Sequence, residues 1–428
     1  MRVLVVAYYF PPLGGGGVHR TLQWVRHLAE RGDEPWVLTV DDAAWAHDPE
    51  GLRRIPEVAR VVRVPNPDWG RVADWRDRRR SVPRGSRTTP GPGRLRRWLV
   101  PDLAVGWSAL AIPAALALTR TARFDAVYTT APPYSAHGVG WALSRQGLPW
   151  LADFRDGWLD CPTRVDFGPA RRRLESRLEA AVFARAGSVV FAGAAAHERA
   201  VRRCPDLAAR STTVLTGFAP EDPAPMPAPS GPTLRLVHAG SIGLNQMASS
   251  FGRFLDALVA WRARRPNAHF ALRLLGAEAG LSGEIGARGL QDWVMIAPAV
   301  PRAALGRELA AAHAALVLSA DAPFGTDPIP GKCFDAIAAG RPLLAWTPAG
   351  GLADWVATAG TGVVIDPAEP RALGRQLDRW LDAVRNGGLP TLTSGERAAF
   401  AAPESMERIR ERVVALVAAG GGNACASA

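Results

Sequence analysis

A proline-rich segment near the middle of the chain separates two halves that share the same repeating pattern. Residues 217–232 contain six prolines, at positions 220, 223, 225, 227, 229 and 232. Proline fixes φ and removes a backbone donor, so this segment is typical of an extended connector rather than of a helix or strand. The chain of 428 residues also exceeds what one hydrophobic core usually organises. The sequence therefore predicts two domains.

On each side of the connector, short apolar runs alternate with segments of helical periodicity. In the first half the strand-like runs lie at 2–7, 36–40, 61–65, 125–130, 150–154 and 188–192. In the second half they lie at 234–239, 270–275, 293–296, 314–318 and 343–346. Strands separated by helix-length crossovers indicate parallel sheets. We therefore predict an α/β protein of two Rossmann-like, doubly wound domains that face each other across a cleft, where such sheets bind their ligands.

These patterns also predict the domain boundaries. The amino-terminal domain covers residues 1–216, the connector 217–232 and the carboxyl-terminal domain 233–395. A helix at 396–419 follows, and the small, polar residues 420–428 are expected to be disordered.

Composition excludes several classes of protein. With 48% hydrophobic and 21% charged residues, the chain is not typical of a disordered protein. The four cysteines include no C-x-x-C pair, so a disulfide framework and a zinc cluster are not indicated, and a reducing cytoplasm fits best. The amino-terminal apolar run is too short for a signal peptide. The longest apolar stretch, 103–118, contains a proline and falls short of the roughly 20 residues of a spanning helix.

The positive charge is concentrated in one segment. The net charge is +11, and residues 71–97 contain ten arginines against two aspartates. Tryptophans lie in or beside this segment, at positions 69, 75, 98 and 107. Arginine beside tryptophan suits an anionic membrane surface, where each basic residue contributes about 1 kcal/mol. No recognised nucleic-acid-binding module accompanies the segment, so nucleic acid is not an expected partner. The alternative is a solvated loop without a partner.

A glycine run follows the first strand and opens the first helix. Gly15, Gly16 and Gly17 would leave backbone amides free at the helix start, where the helix dipole also favours an anion. The spacing differs from G-x-G-x-x-G, so a dinucleotide site is only weakly indicated. We predict a phosphate or acceptor loop at this position. A turn without a ligand is the alternative.

The segment Asp327–Pro342 carries the strongest chemical signal. Prolines before Gly331 suit a helix entry, and Gly340 suits its end. Lys332 and Asp335, three residues apart, share a face in the first turn. The ammonium and nearby amides are suited to a diphosphate, and the carboxylate to a pair of ribose hydroxyls. Lys332 is the only lysine among 51 Lys and Arg residues, which favours a site that needs a compact ammonium.

Segments from both halves of the chain resemble retaining glycosyltransferases of the GT-B fold, specifically glycosyltransferase family 4. They are the first strand with its Pro-Pro and glycine loop, Ala131–His137, Asp153–Trp158, Ala239–Gly243 and Pro330–Pro342. The resemblance covers nearly the full length. It implies that the second domain binds a nucleotide-sugar, that the first binds the acceptor, and that the anomeric configuration is retained.

The resemblance also implies roles for residues of the second domain. Two acidic residues eight positions apart contact the donor sugar and the nucleotide ribose in this family, and Asp327 and Asp335 have this spacing. We accordingly assign Asp327 to catalysis and Asp335 to donor binding.

The donor phosphates need a positive partner. Asn245 and Gln246 stand where the family has a basic pair. We therefore expect the phosphate charge to be met by Lys332 together with amides near Gly240, Ser241 and Gly331.

Two groups in the first domain follow predicted strand ends. By resemblance, His137 lies near the sugar that is transferred, and we assign it to catalysis. Asp153, Arg155 and Asp156 follow the strand residues Trp150–Ala152, so they would project toward the cleft. The alternative is a local arginine–carboxylate pair that orders the loop.

The sequence thus predicts a hexosyl-transferase that moves a sugar from a nucleotide-sugar to a glycan or lipid-linked acceptor, in cell-surface polysaccharide biosynthesis. No Asp-x-Asp occurs in the sequence, so no metal or other cofactor is expected. We expect the protein in the cytoplasm, at the inner face of the plasma membrane if the basic segment binds lipid. The alternatives are a GT-B-fold nucleotide-sugar epimerase and a non-catalytic membrane- or carbohydrate-binding protein with a degenerate donor site.

Overall fold

The computed structural model forms two compact units, each with its own sheet. Unit 1 comprises Met1–Leu215 and Ser405–Ala428, and unit 2 comprises Thr216–Glu404. The residues described are 1–41, 48–67, 98–161, 166–219, 225, 227–242, 247–300, 302–320 and 324–425. The basic segment 71–97, Asn245, Gln246 and residues 220–224 and 226 of the proline-rich connector lie outside these described residues.

Unit 1 contains a parallel sheet of seven strands. They are β1 (Arg2–Val6), β2 (Glu34–Val40), β3 (Arg60–Val64), β4 (Ala126–Ala131), β5 (Trp150–Phe154), β6 (Ser188–Phe191) and β7 (Ser211–Thr213). Their order is β3-β2-β1-β4-β5-β6-β7, and every neighbouring pair is parallel. The direction of winding reverses between β1 and β4. Ligands of doubly wound sheets bind at this switch point, at the carboxyl ends of the strands.

Helices cover both faces of the unit 1 sheet. They are α1 (Gly16–Glu30), α2 (Val105–Thr121), α3 (His137–Ser144), α4 (Pro169–Arg185) and α5 (Ala194–Arg203), with α13 (Ala402–Cys425) from the end of the chain. Trp107, Val139 and Phe183 from α2, α3 and α4 form the core on one face. Leu22 of α1 and Ile409 of α13 belong to the core on the other face. Unit 1 is therefore completed by the last helix of the chain.

Unit 2 contains a parallel sheet of six strands. They are β8 (Leu234–Ala239), β9 (Phe270–Leu275), β10 (Val294–Ala297), β11 (Ala314–Leu318), β12 (Leu343–Trp346) and β13 (Gly362–Ile365). Their order is β10-β9-β8-β11-β12-β13, and the pairs are parallel. The switch point of this sheet lies between β8 and β11. Both units therefore have the doubly wound α/β fold that the sequence predicts.

Helices pack on both faces of the unit 2 sheet as well. They are α6 (Ala248–Arg264), α7 (Leu281–Ala287), α8 (Arg302–Ala310), α9 (Gly331–Ala338), α10 (Gly351–Ala359), α11 (Pro370–Arg385) and α12 (Ser394–Ala398). Phe254 of α6 and Leu377 of α11 lie in the core on one face. Cys333 of α9 and Val356 of α10 lie in the core on the other.

The chain enters and leaves unit 2 through two backbone segments that are hydrogen-bonded to each other. The Phe218 amide donates to the Phe400 carbonyl over 3.0 Å, and the Ala402 amide donates to the Phe218 carbonyl over 2.7 Å. Gly217 has a φ of +74°, and a Cβ there would lie 2.8 Å from the Phe400 carbonyl oxygen. Glycine is therefore required where the chain turns into this pair.

The predicted strand positions are confirmed within a few residues, and two strands were not predicted. β7 is a polar run of three residues, and β13 is four residues long and begins with glycine. We expected the last helix at 396–419, whereas α12 precedes it and α13 extends to Cys425. Within the described part of the chain, no helix is both long and apolar enough to span a membrane.

Candidate functional site

The ammonium of Lys332 lies at the switch point of the unit 2 sheet. Helix α9 begins at Gly331, directly after Pro330, whose extended backbone (φ −64°, ψ 146°) sets the helix entry. From the first turn, Lys332 reaches toward the end of β8. Its Nζ lies 3.2 Å from Nε2 of His238, and a Cβ on Gly240 would lie 3.6 Å from the same nitrogen. The lysine is thus half-buried beside the Gly240 turn.

Burial shifts the pKa values of Lys332 and of its neighbour Cys333. Desolvation lowers the pKa of Lys332 to about 8, against the opposing effects of Cys333 and Asp335. Burial raises the pKa of the Cys333 thiol to about 12. Lys332 is therefore mostly protonated at neutral pH, with a thiol beside it that stays neutral. The group is a cation held at the carboxyl ends of parallel strands.

The turn after β8 is held by a carboxylate that the sequence analysis did not single out. The Ser241 hydroxyl donates to Oε1 of Glu278 over 2.5 Å, and the Ile242 amide donates to Oε2 over 3.1 Å. Gly240 has a φ of +108°, which favours glycine. Glu278 follows the end of β9, the strand next to β8. A search of every strand end for acidic residues, as well as basic ones, would have found it.

Gly331, Lys332 and Asp335 all belong to α9, and Asp327 lies in the turn before this helix. Asp335 is half-buried and raises the pKa of Lys332 electrostatically. Gly331 is exposed and is the first residue of α9, so its amide belongs to the free helix terminus. Asp327 is half-buried in the turn before the helix, and its amide donates to the Phe324 carbonyl over 3.1 Å.

In unit 1, Arg155 fixes the predicted glycine loop by contacts to backbone carbonyls. Its guanidinium donates to the carbonyls of Gly17 (2.5 Å) and Pro132, and it lies over the ring of Tyr9 at 5.7 Å. A Cβ on Gly17 would overlap this guanidinium. Arg155 therefore joins the first turn of α1 to the loop after β4. It is not the arginine–carboxylate pair that we considered.

The structure places Asp153 in the interior of unit 1 rather than among groups that project toward a ligand. Its carboxylate is fully buried and accepts hydrogen bonds from Nη2 of Arg20 (2.7 Å), the hydroxyl of Tyr128 (2.7 Å) and the hydroxyl of Thr130 (2.8 Å). These donors saturate the carboxylate. Asp153 is thus a structural residue. Asp156, three positions on, is half-buried, and burial raises its pKa against the effect of Arg155.

His137 is the first residue of α3 and lies below the end of β4. Its Nδ1 is 2.7 Å from the oxygen of the Thr129 hydroxyl, and the same oxygen accepts a hydrogen bond from Nε1 of Trp150 over 2.8 Å. The ring packs on Phe154 at 4.4 Å. Burial lowers the pKa of His137 to about 3. Among the described residues, its Nε2 has no hydrogen-bond partner. The ring is fully buried and stays neutral near neutral pH, so it is suited to hydrogen bonding rather than to proton transfer.

The predicted glycine loop has the geometry of a tight turn into a helix. Gly15 has a φ of +87° and precedes α1, which begins at Gly16. A Cβ on Gly16 would meet no atom of the described residues within 4 Å. The part of the chain that the structure describes includes no cluster of three or more His, Cys, Asp or Glu side chains that could hold a metal ion.

Comparisons with known proteins agree with this architecture. Residues 253–385 match the family model described as glycosyl transferases group 1. A comparison with curated protein sequences found no match. Among solved structures, the chain is similar to sucrose-phosphate synthase from Thermosynechococcus elongatus, with a TM-score of 0.66, 18% identity, and 98% of this chain and 99% of that chain covered.

Two further solved structures have the same fold. A glycosyltransferase from Rickettsia africae ESF-5 gives a TM-score of 0.63 at 12% identity and covers 97% of this chain and 98% of its own. WaaG, a glycosyltransferase involved in lipopolysaccharide biosynthesis, gives 0.54 at 15% identity, with 95% and 94% covered. The fold is therefore that of GT-B glycosyltransferases. Asp327, Lys332 and Asp335 lie within the part of unit 2, residues 253–385, that matches the glycosyl transferases group 1 model.

Proposed function

We propose that this protein is a retaining glycosyltransferase of family 4 that transfers a hexose from a nucleotide-sugar to a glycan or lipid-linked acceptor. The position of Lys332 carries the proposal. The only lysine of the chain is half-buried at the switch point of unit 2, inside the region that matches the glycosyl transferases group 1 model. A fixed cation at a helix start stabilises a diphosphate, which is the leaving group of a nucleotide-sugar.

The arrangement of unit 2 supports a set of proposed donor contacts. Lys332 and the first amides of α9, beginning at Gly331, would bind the diphosphate. Asp335 would accept hydrogen bonds from the ribose hydroxyls and Asp327 from the sugar. The Gly240 turn allows close approach. Ser241 donates its hydroxyl to Glu278, so a donor phosphate would have to displace that carboxylate to take this hydrogen bond.

Transfer with retention needs no protein nucleophile in this proposal. The bond between the anomeric carbon and the diphosphate oxygen breaks, and the acceptor oxygen bonds to the same face of the anomeric carbon. The acceptor proton passes to an oxygen of the departing diphosphate. Lys332 stabilises the negative charge that develops on this group. His137 would contact the transferred sugar as a neutral imidazole.

The acceptor would be bound by unit 1. Gly15–Gly17 and Asp156 are the proposed contacts there, and Arg155 holds the loops that present them. We propose a lipid-linked acceptor in cell-surface polysaccharide biosynthesis, because the basic segment 71–97 would hold a cytoplasmic enzyme at the inner face of the plasma membrane. Trp98, the residue that follows this segment, is 73% exposed.

Substitution of Lys332 tests the donor site. Lys332→Ala is expected to weaken the affinity for UDP, GDP or dTDP by about 10- to 100-fold, which is the usual contribution of a hydrogen bond from a charged group. Calorimetry measures this affinity. Arg265→Ala is the matched control, because Arg265 is a more exposed cation of the same unit, paired with Asp378. Equal affinities of Lys332→Ala and wild type would remove Lys332 from the site.

An activity assay separates the proposed function from its alternatives. The purified protein is incubated with labelled UDP-, GDP- and dTDP-sugars and lipid-linked acceptors. Transferred label supports a glycosyltransferase, whereas conversion of the donor without an acceptor indicates an epimerase. The absence of both reactions indicates a binding protein. We also propose that transfer is independent of metal, so complete loss of activity with a chelator, restored by Mn²⁺, would contradict this part of the mechanism.

A further inference from the structure

His238 lies between the sheet of unit 2 and the lysine of the proposed donor site. It belongs to β8 and is fully buried. Its Nδ1 is 3.0 Å from the Leu316 carbonyl oxygen of β11, and its Nε2 is 3.2 Å from Nζ of Lys332. A carbonyl can only accept and an ammonium can only donate a hydrogen bond. These two contacts therefore favour the tautomer with the proton on Nδ1 and a lone pair on Nε2, although a backbone hydrogen bond at Gly240 also favours a protonated ring.

The surroundings keep this imidazole neutral. A second proton on His238 would place two cations 3.2 Å apart in a buried position. Burial and the charge of Lys332 lower the pKa of His238 to about 3, although Glu278 opposes this shift. The acceptor on Nε2 is thus present throughout the neutral pH range.

A neutral imidazole holds the Lys332 ammonium without cancelling its positive charge, which a carboxylate would do. A carboxylate at 3.2 Å would hold the ammonium but would also neutralise its charge, which a diphosphate needs. An imidazole holds one N–H and leaves the full positive charge, with two further N–H groups for phosphate oxygens. The lysine stem has four flexible carbons, so fixing Nζ in advance reduces the entropy lost when a ligand binds.

We propose that His238 is a positioning residue of the donor site: through Nε2 it fixes Nζ of Lys332 in place for the diphosphate without neutralising it. This inference rests on the proposed function of Lys332. It adds a residue outside the region 253–385 that matches the family model. The contact joins β8 to α9, so the strand end and the helix start would act as one site.

Two substitutions separate the two contacts of the ring. In His238→Asn the amide lies near the position of Nδ1, so the donor to Leu316 is kept and the acceptor for Lys332 is lost. In His238→Gln the amide oxygen lies near the position of Nε2, so the acceptor is restored. Because Lys332 is the only lysine, protein labelled with ¹⁵N- and ¹³C-lysine gives a single side-chain signal whose titration reports its pKa.

The expected result is a coupled change in pKa and affinity. Loss of the acceptor destabilises the ammonium, so His238→Asn should lower the pKa of Lys332 by about one unit. The affinity for the best of UDP, GDP and dTDP should fall about tenfold at about pH 7.5, with a larger loss at higher pH. Asp335, Glu278 and Cys333 also face this pair, but they are unchanged in both variants. His238→Gln should restore most of the pKa and the affinity.

The outcomes distinguish this inference from the proposed function. An unchanged Lys332 titration in His238→Asn, or a changed titration with unchanged nucleotide affinity, would overturn the positioning role while leaving the donor site intact. Failure of the wild type to bind any of the three nucleotides would instead overturn the proposed function, and the inference with it. If His238→Asn does not fold, the ¹⁵N shifts of His238 in the wild type decide, because a protonated Nε2 would exclude the proposed hydrogen bond.

Discussion

Replacement of Asp153 with asparagine is expected to destabilise unit 1 strongly. The fully buried carboxylate is paired with Arg20, whose guanidinium is also fully buried. Asparagine has nearly the same shape but no charge. The guanidinium would therefore remain in the interior without its counter-ion, and the hydroxyls of Tyr128 and Thr130 would lose a charged acceptor.

The size of the expected loss of stability follows from the burial of Arg20 and from the hydrogen bond that Arg20 keeps. Removal of one partner from a buried ion pair costs about 3–5 kcal/mol. Arg20 keeps its hydrogen bond to the Val214 carbonyl, 2.9 Å away, so we expect about 3–4 kcal/mol. This loss raises the unfolded fraction of unit 1 by about 100- to 1000-fold. A domain of ordinary stability would remain folded but would unfold at clearly lower denaturant concentration.

The pH dependence of the free energy of unfolding provides a second, independent test of this prediction. Burial alone would raise the pKa of Asp153, but Arg20 and the two hydroxyls outweigh it and hold the pKa below its ordinary value. The stabilisation is therefore fully present above the ordinary aspartate pKa of about 3.9 and is lost as the pH falls through the lower folded value. The difference between wild type and Asp153→Asn should shrink in this acidic range.

Urea unfolding at several pH values, followed by tryptophan fluorescence, measures both effects. Glu34→Gln is the control, because Glu34 forms an exposed ion pair with Arg2 in the same unit and should show little change. The double variant Arg20→Met with Asp153→Asn removes both charges and should recover much of the loss. A single Asp153→Asn variant within about 1 kcal/mol of the wild type would refute the reasoning.

Three further predictions concern burial. The pKa of His137 is lowered to about 3, so below about pH 6.5 this residue must lose a proton when the protein folds. The free energy of unfolding of unit 1 should therefore fall by about 2 kcal/mol between about pH 7 and pH 5 because of this group. In urea unfolding, His137→Asn should show a smaller fall over the same pH range. Gly140→Ala should lower the free energy of unfolding by about 1–3 kcal/mol, because the new Cβ would overlap the Trp150 indole. Gly16→Ala is the control and should leave the melting temperature nearly unchanged, because a Cβ there would meet no atom of the described residues within 4 Å. The buried Cys333 thiol should react with a disulfide reagent only after unfolding, and rapid reaction in the native state would contradict its place in the core.

The sequence was sufficient for the features that depend on periodicity. The strands of both sheets and the entry of α9 follow from apolar runs and from prolines at fixed positions. The position of Lys332 at a strand end follows from the same pattern, because a helix that starts after a parallel strand presents its first turn at that edge. Short, polar or glycine-containing strands such as β7 and β13 do not give this signal.

Contacts between distant residues could not be predicted in the same way. Asp153 lies near the carboxyl end of β5, where ligand-binding residues of such sheets occur, but its partner Arg20, 133 positions earlier, makes it a structural residue. His238 has the sequence context of a buried strand residue, and the packing of α9 brings Nζ of Lys332 within 3.2 Å of its Nε2. Glu278 likewise acquires a role through its hydrogen bonds to the neighbouring turn.

The hydrogen-bonded crossing at Phe218 and Phe400 makes unit 2 an insertion within unit 1. Excised at this crossing, residues 216–404 would form one uninterrupted polypeptide with adjacent ends. The remainder would be two fragments, of which the shorter supplies Ile409 and Val413 to the first sheet. Truncation after residue 215 would therefore uncover an apolar face and cause aggregation. A short peptide bridge from 215 to 405 should instead yield a soluble, minimal version of the amino-terminal half.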